Sequence, residues 1–364
     1  MQKKSDGQSY APRGKAVAVV APGEFLVGVI GLDHGHIHGM CNGLSEAGAG
    51  IVLAWDPDPE KCRLFREAWP TVRIARDRDE ILEAGNIRLI ASAAVPGDRC
   101  DIGVAALESG HDFFVDKPPL ITREQLERAR ATVGRTGRRW GVYYSERLHV
   151  ESAVRAGELV KQGAIGRVVQ VMGWGPHRAG VAARPDWFFD KSRYGGILVD
   201  IGCHQIEQIL AYAGAEGAKI TNSHVANFNH TAYPRFEDFG DVSLICDNGV
   251  AGYFRVDWFT PDGLGAWGDG RTLILGTDGY IEIRKYIDVA ANAEGDHVFL
   301  VDHEGERHIE AAGTCGFPFF GQFIRDCIEH TGTAMTQSHA FAAIELAIEA
   351  QERAWKAGVG GFRS

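Results

Sequence analysis

An apolar run that ends in a glycine turn is the feature that most constrains the fold of this chain. Residues 25–30, Phe-Leu-Val-Gly-Val-Ile, have the continuous apolar character of a parallel strand buried on both faces. The run breaks at Gly31, and the sequence predicts a helix from the next few residues to about residue 47. A second predicted strand, 51–55, ends in Asp56. Strand, glycine turn, helix, strand and terminal acid are the parts of a dinucleotide-binding βαβ unit.

In such a unit the helix N-terminus binds the pyrophosphate, and an acid about 20 residues further on binds the ribose hydroxyls. Asp56 lies 25 residues after Gly31 (56 minus 31), which fits this spacing and favours NAD over NADP as the cofactor. The predicted cofactor-binding residues of this unit are Gly31, Asp33, His34, His36, Ile37 and Asp56.

The glycine turn departs from the usual G-x-G-x-x-G pattern. Asp33 and His36 occupy the positions of the second and third glycines. A carboxylate is unfavourable where the backbone must approach a pyrophosphate, unless it points away or is itself hydrogen-bonded. We therefore expect the side chain of Asp33 to be held in one of these two ways.

Three histidines at alternate positions, His34, His36 and His38, also suggest a metal site beside Asp33. Alternating histidines converge on one ion most easily from a strand, whereas i, i+2 neighbours on a first helical turn diverge. We therefore predict that these side chains donate to phosphate or pack beneath the cofactor. No metal site is predicted for the chain.

The alternation of strands and helices continues to about residue 147, which predicts a doubly wound parallel sheet. One strand ends at Val95 and Pro96, and both are expected to line the cofactor crevice. The further predicted strands are 72–75, 87–94, 113–115 and 140–144, and the predicted helices are 59–69, 79–84, 101–109 and 122–133.

The strand 113–115 runs directly into Asp116, Lys117 and two prolines. Because proline restricts the residue before it, Lys117 is held in an extended geometry at the end of the strand. Ligands of open α/β sheets bind at the carboxyl ends of the strands, so Lys117 is predicted to contact cofactor and substrate. Taken alone, the same residues are more typical of a solvated salt pair.

The second half of the chain has strands of antiparallel type. They are separated by turns such as Asp247-Asn248-Gly249. The predicted fold class is α/β, with a Rossmann sheet followed by an α+β domain that contains a large, mostly antiparallel open sheet. The clearest predicted strands of this half are 168–174, 241–246, 252–259, 271–275 and 280–284.

Three regions are predicted. Residues 1–24 form a loosely held extension, because chain termini are commonly poorly ordered. Residues 25–147 form the dinucleotide-binding domain, and 148–364 form a domain for substrate binding and oligomerisation. The closing helix, 340–354, is expected to pack back towards the first domain.

A glycine-rich loop before residue 200 leads into a predicted helix that carries an acid and a histidine. Asp200 and His204 are four residues apart (204 minus 200) and so share one helix face. An acid that orients and polarises a histidine is a plausible general acid/base pair near neutral pH. The equally weighted structural alternative is a helix-start acid above a hydrogen-bonded core histidine.

Composition and charge exclude several other functions. With 38 basic and 48 acidic residues the net charge is −10, which argues against a nucleic-acid or anionic-membrane partner. The seven cysteines are scattered without a CxxC pair, which fits a cytoplasmic protein rather than a disulfide-bonded one. The apolar run 16–21 is too short to cross a bilayer.

The chain resembles the Gfo/Idh/MocA family, the glucose-fructose oxidoreductase and inositol dehydrogenase group. The resemblance is carried by the strand and turn 27–36, by Asp116-Lys117-Pro118 in place of a Glu-Lys-Pro signature, and by the segment 195–207 with its Asp-x-Gly-x-His core. Together with weaker matches it covers nearly all of residues 25–360, in the family's order.

The resemblance implies an NAD(P)-dependent oxidoreductase that acts on a sugar, cyclitol or related polyol and forms a homodimer or homotetramer. It implies that Lys117 lies beside substrate and nicotinamide and that His204 is the acid/base. Asp200 would be its partner or a ligand of substrate hydroxyls. The aromatic and cationic residues before Asp200 suit a polyhydroxylated ligand. The predicted substrate-binding residues are Lys117, Trp174, His177, Arg178, Trp187, Tyr194, Asp200 and His204.

Two other classes stay open from the sequence. One is a lyase or hydrolase-like sugar enzyme that uses tightly bound NAD, or a metal at His177, Asp200 and His204. The other is a non-catalytic sensor of NAD or sugar, which the fold also permits.

Overall fold

The computed structural model describes residues 12–290, 294–358 and 361–363. The chain divides into two compact units. The first unit consists of Lys15–Tyr143 and Phe317–Phe341. The second consists of residues 12–14, Tyr144–Gly316 and the described residues from Ala342 onward.

The first unit contains a six-stranded sheet in which all neighbouring strands are parallel. Its strands are β1 (Leu26–Ile30), β2 (Gly50–Trp55), β3 (Arg73–Ile74), β4 (Ile87–Ser92), β5 (Asp112–Asp116) and β6 (Trp140–Tyr143). The strand order β3-β2-β1-β4-β5-β6 is that of a dinucleotide-binding fold. The predicted doubly wound parallel sheet is therefore confirmed.

Several helices of this unit begin or end at residues whose chemistry favours a helix boundary. Those between residues 15 and 143 are α1 (His36–Glu46), α2 (Pro59–Ala68), α3 (Arg78–Leu82), α4 (Arg99–Glu108) and α5 (Arg123–Thr136), with a short 3₁₀ turn at Pro96–Asp98. Asp58 and Thr122 cap α2 and α5 by accepting hydrogen bonds from backbone N–H groups. Gly137 ends α5 in the left-handed conformation.

The second unit contains a ten-stranded sheet. Its strands are β7 (Val168–Pro176), β8 (Ala218–Asn227), β9 (Phe239–Cys246), β10 (Ala251–Asp257), β11 (Arg271–Gly276), β12 (Gly279–Arg284), β13 (His297–Asp302), β14 (Gly305–Glu310), β15 (Trp355–Gly358) and β16 (Gly361–Arg363). The order is β14-β13-β12-β11-β7-β10-β9-β8-β15-β16. Among the described strands of this sheet, the β7–β10 and β8–β15 pairs are parallel and the other pairs are antiparallel. The predicted large, mostly antiparallel sheet is confirmed.

The helices of the second half position the candidate site residues. They are α6 (Ser145–Leu148), α7 (Glu151–Lys161), α8 (Lys191–Tyr194), α9 (Ile197–Asp200), α10 (Gly202–Ala213), α11 (Pro318–Glu329) and α12 (Gln337–Arg353). α10 covers one face of the ten-stranded sheet. A Cβ at Gly173 of β7 would lie 2.3 Å from the Oε1 atom of Gln205 on this helix.

The segment Phe317–Phe341, which the sequence places in the second domain, belongs to the first unit. Its helix α11 packs closely there, because a Cβ at Gly43 of α1 would lie 2.2 Å from the Phe320 ring. The predicted closing helix, 340–354, forms as the C-terminal part of α12. Over the described residues, no helix combines the length and apolar character needed to cross a membrane.

The N-terminal extension is anchored where the structure describes it, in contrast to the prediction of a loosely held segment. Within the second unit, the Gly14 N–H donates to Glu151 Oε1 at 2.7 Å. Within the first unit, the Val19 N–H donates to the Ala47 carbonyl at 2.9 Å. Residues 1–11 lie outside the described residues.

Candidate functional site

The turn between β1 and α1 has the geometry that an anion site requires. Gly31 has a φ of +88°, and a Cβ there would lie 2.5 Å from the Cβ of Ala94. Gly35 precedes α1 without a side-chain cap, and the first turn of the helix carries no acid. The positive end of the helix dipole is therefore not neutralised by a carboxylate of its own first turn, which fits a pyrophosphate.

The carboxylate of Asp33 is held by hydrogen bonds, which is one of the two expected solutions. Its Oδ1 accepts from Lys61 Nζ at 2.6 Å, and its Oδ2 accepts from the Val95 N–H at 3.2 Å. Asp33 thus links α2 to the residues that follow β4.

Asp56 ends β2 as predicted, but its carboxylate is enclosed. The exposed fraction of its side chain is 0%. Oδ2 accepts from the Leu32 N–H at 2.7 Å and Oδ1 from the Asp58 N–H at 2.9 Å. Burial raises the pKa of Asp56, although both backbone hydrogen bonds oppose this shift. Asp56 therefore fixes the shape of the β1–α1 turn.

Asp116, at the end of β5, is the centre of a buried ionic cluster that we call the Asp116 cluster: Asp116, Arg99, His34 and His36. Oδ1 lies 2.9 Å from His36 Nδ1, and Oδ2 accepts from Arg99 Nη2 at 3.0 Å. Burial disfavours the carboxylate, but the charges of His36 and Arg99 outweigh it and hold the pKa of Asp116 well below its ordinary value.

Arg99 ties this cluster to the backbone, and His34 completes it. The Arg99 guanidinium also donates to the carbonyls of Ala94, Asp116 and Pro118 at 2.7–3.0 Å. His34 Nδ1 accepts from the His36 N–H at 3.2 Å and lies 3.6 Å from Asp116 Oδ2. Burial, with the charge of His36, lowers the pKa of His34 well below its ordinary value, so its imidazole is neutral at pH 7.

The histidines do not diverge as the sequence predicts. The ring centroids of His34 and His36 are 4.1 Å apart, because His34 precedes the helix. Only His38 turns away, and it accepts from the Trp69 Nε1–H at 3.2 Å. The possible metal-ligand atoms of His34, His36 and Asp116 lie within 4.8 Å of one another. Among the described residues, this is the one group of three such side chains that could hold a metal ion. Asp116 is already paired with Arg99, so the absence of a metal site stays a prediction.

The remaining cofactor candidates surround the same turn. Ile37 is buried in the first turn of α1. The Val95 N–H binds Asp33, and Pro96 begins the 3₁₀ turn that leads into α4. Lys117 directly follows β5 and has an exposed fraction of 6%. The end of β5 therefore lies in a dry environment rather than in the solvated salt pair of the alternative interpretation.

In the second unit, the predicted helix that carries Asp200 and His204 is interrupted. Asp200 ends α9, Ile201 separates the two helices, and His204 lies in the first turn of α10. Both side chains are buried, His204 at 2% exposure. The ring of Tyr144 meets that of His204 edge-on at 6.2 Å. The pairing of Asp200 with His204 stays a prediction.

A buried polar group beside His204 was not found from the sequence. We call it the Glu146 network: Glu146, Lys285, Gln205 and Gln208. Glu146 Oε2 accepts from Lys285 Nζ at 2.8 Å, from Gln205 Nε2 at 2.8 Å and from Gln208 Nε2 at 3.4 Å. Burial disfavours this carboxylate, but the charges of Lys285, His204 and His177 outweigh it and lower the pKa of Glu146 well below its ordinary value.

The sequence held one signal for this network. Ile281 and Ile283 of β12 are buried at alternate positions, and the same alternation continues to Lys285. A lysine in phase with core isoleucines predicts a buried charge that needs a partner. The identity of that partner, 139 residues away in the sequence, had no local signal.

The other predicted substrate residues take several places in the second unit. The ring of His177 is 4.1 Å from that of Trp267, and Arg178 Nη2 donates to the carbonyls of Pro261, Leu264 and Ala266. Arg178 therefore holds the loop after β10. The Tyr194 hydroxyl accepts a hydrogen bond from the Glu237 N–H at 3.2 Å. The Tyr194 ring contacts Phe188 and Phe236, and Trp187 contacts Phe188.

Trp174 lies apart from the residues of α10. Gly173 and Gly175 of β7 both face Gln205, so alternation along the strand places Trp174 on the opposite face of the sheet. Its cross-strand neighbours there are Arg255 and Arg271. The structure thus does not bring Trp174 together with His204.

Comparison with known proteins agrees with this architecture. Residues 153–282 match the family model of the GFO/IDH/MocA C-terminal domain. The chain is 26% identical over 261 residues to scyllo-inositol 2-dehydrogenase (NAD(+)) of Bacillus subtilis (strain 168), which covers 70% of this chain and 72% of that protein.

Two solved structures extend the comparison. A protein of Erwinia carotovora atroseptica SCRI1043, named only as an oxidoreductase, is 49% identical with a TM-score of 0.89, over 91% of this chain and 99% of that one. Levoglucosan dehydrogenase, solved with NADH and levoglucosan, shares the fold at 18% identity and a TM-score of 0.73, over 90% and 96% of the two chains.

The parallel sheet with its glycine turn, the large second sheet and these relatives together define the class of protein, an oxidoreductase with a Rossmann domain. Within that class, the chain belongs to the Gfo/Idh/MocA family.

Proposed function

We propose that this protein is an NAD-dependent dehydrogenase that transfers hydride between the nicotinamide and a secondary hydroxyl of a sugar, cyclitol or related polyol. The observation that carries the proposal is the β1–α1 turn, where Gly31 has a φ of +88° and the first turn of α1 carries no acid. The Bacillus subtilis relative, an inositol dehydrogenase by name, supports the cofactor and the substrate class.

The preference for NAD over NADP rests on charge. Asp33, Asp56 and Asp58 are grouped around a single ammonium, that of Lys61. A 2′-phosphate would be repelled by this excess of carboxylates, whereas neutral ribose hydroxyls would not. Of these residues, the sequence singled out Asp33 and Asp56 but not Asp58 or Lys61.

When bound, a nicotinamide supplies the hydride acceptor or donor. We propose that His204 takes the hydroxyl proton as an alcohol is oxidised and returns it in the reverse direction. Lys117 would stabilise the developing alkoxide by its fixed positive charge. Asp200 would bind substrate hydroxyls or orient His204, and Glu146 would act on His204 through its charge. The low exposure of Lys117, His204 and Glu146 supports these roles, because charges act more strongly away from water.

Incubation of the purified protein with NAD and a panel of aldoses and cyclitols tests the proposal. We expect reduced nicotinamide to appear, detected by its absorbance. Lys117→Ala and His204→Ala should each lower turnover by about 10²–10⁴-fold, with unchanged circular dichroism. Lys219→Ala and His224→Ala, which remove the same residue types elsewhere, should retain wild-type rates.

The other outcomes are equally informative. Wild-type rates in both Ala variants would refute the assigned roles. A product with no net redox change would indicate a lyase or hydrolase, and binding without turnover would indicate a sensor.

The expected homodimer or homotetramer is supported by the outer face of the ten-stranded sheet. Ile245, Leu275 and Tyr280, which alternate with buried residues, are 40–43% exposed on this face. A second copy would cover them, as apolar surface of this kind marks association sites. Light scattering of the purified protein should give the mass of a dimer or tetramer, and a monomer would contradict this expectation.

A further inference from the structure

The acid that should select the cofactor is not accessible as the structure stands. The Asp56 side chain has no exposed surface, and each of its oxygens already accepts a backbone hydrogen bond. By contrast, the Asp33 side chain is 16% exposed and that of Lys61 is 35% exposed. Asp33 and Lys61 are therefore more accessible to a ligand than Asp56.

Lys61 is held between two carboxylates. Its Nζ atom is 2.6 Å from Asp33 Oδ1 and 3.9 Å from Asp56 Oδ1. Burial disfavours the ammonium, but Asp33 and Asp56 outweigh it and raise the pKa of Lys61, so Lys61 is charged at neutral pH. A lysine in this place is the kind of donor that binds a phosphate group as a point charge.

We propose that the Asp33–Lys61 ion pair, rather than Asp56 alone, determines which dinucleotide the protein accepts. Asp33 neutralises Lys61 and so denies a 2′-phosphate the cation that lies beside Asp56. Lys61 alone would favour the 2′-phosphate of NADP. Asp33, at the position of the second glycine, neutralises this charge, so the site favours NAD. This inference rests on the proposed use of a nicotinamide dinucleotide.

The charge balance predicts what happens when Asp33 loses its charge. Asp33, Asp56 and Asp58 against Lys61 sum to −2, and Asp33→Asn changes this sum to −1. Asparagine keeps the size of the side chain and can still accept from Lys61 or from the Val95 N–H. The ammonium of Lys61 then becomes available to a phosphate, while binding of ribose hydroxyls is little altered.

Calorimetric titration with NADH and with NADPH tests the inference without depending on turnover. We expect the wild-type protein to bind NADH more tightly. Asp33→Asn should tighten NADPH binding at least about tenfold, with NADH changed less than about threefold. The double variant Asp33→Asn/Lys61→Met should lose this gain. Glu108→Gln removes the carboxylate of an exposed ion pair with Arg135 and should leave both affinities unchanged.

Three results would count against the account, and they are distinguishable. If the wild-type protein binds neither dinucleotide, the proposed function fails and this inference with it. If NADH binds but Asp33→Asn leaves the NADPH-to-NADH ratio unchanged, only the inference fails. The same holds if the double variant keeps the gain. Should Asp33→Asn fail to fold, Asp33→Gly restores the usual glycine and must give the same shift.

Discussion

Each of the two units contains a buried carboxylate that interacts with a cation and with two histidines. In the Asp116 cluster the cation is Arg99, and in the Glu146 network it is Lys285. In both cases positive neighbours outweigh burial and lower the pKa of the acid well below its ordinary value. The two carboxylates differ in the hydrogen bonds that their oxygens accept.

Asp116 uses both oxygens locally, one towards His36 and one towards Arg99. Glu146 accepts hydrogen bonds from Gln205, Gln208 and Lys285 on Oε2, and Oε1 has no hydrogen-bond partner among the described residues. A buried acceptor without a partner is rare and costly unless it serves a purpose. From this difference we expect Asp116 to hold the fold of the first unit and Glu146 to support the role proposed for His204.

Removing the cation of the Asp116 cluster should give the largest loss of stability. Arg99→Met strands the Asp116 carboxylate and releases three backbone carbonyls, so unfolding should become easier by about 3–5 kcal/mol. Urea denaturation at neutral pH measures this change. Lys285→Met should cost less, because Glu146 keeps the amide donors of Gln205 and Gln208. An equal or greater loss for Lys285→Met would break the comparison.

Glu146→Gln should affect turnover more than stability. Glutamine has nearly the same shape, but it removes the negative charge that attracts a protonated His204. Turnover should fall about 10–100-fold, and the pH profile of turnover should move, because Glu146 no longer contributes a negative charge near His204. Steady-state kinetics across pH measure both effects. A large loss of stability with an unmoved pH profile would show that Glu146 is only structural.

His34 should make the first unit less stable in mild acid. Its pKa in the folded protein lies well below the ordinary 6.5, so below pH 6.5 the unfolded chain binds a proton that the folded chain does not. Stability is then fully present at neutral pH and falls by up to about 1.4 kcal/mol per pH unit as the pH decreases. His34→Asn should flatten this dependence in thermal melts between pH 7 and 5, and an unchanged slope would contradict it.

Much of the first unit could be predicted because its signals are local. The apolar runs, the glycine at residue 31 and the prolines after Lys117 locate β1 and β5 to within one residue at each end. Less of the second sheet could be predicted. β14, Gly-Glu-Arg-His-Ile-Glu, is an exposed edge strand, so its sequence lacks the apolar alternation of a half-buried strand.

The residues of the site could be predicted individually, but the contacts between them could not. Asp56, Asp116 and His204 could be named from spacing and from the family resemblance. The enclosure of Asp56, the pairing of Asp33 with Lys61 and the salt bridge of Glu146 with Lys285 depend on contacts between distant parts of the chain. The break at Ile201 had one local signal, because Gly202, which follows it, has a low helix propensity.

The most direct test of the proposed activity follows the hydrogen itself. The protein would be incubated with NAD and a polyol deuterated at its secondary carbinol carbons, and the dinucleotide would be analysed by mass spectrometry. We expect one deuterium to be transferred to the nicotinamide for each polyol oxidised, and the His204→Ala variant should accumulate labelled dinucleotide about 10²–10⁴-fold more slowly. Consumption of the polyol without deuterium in the dinucleotide would contradict hydride transfer.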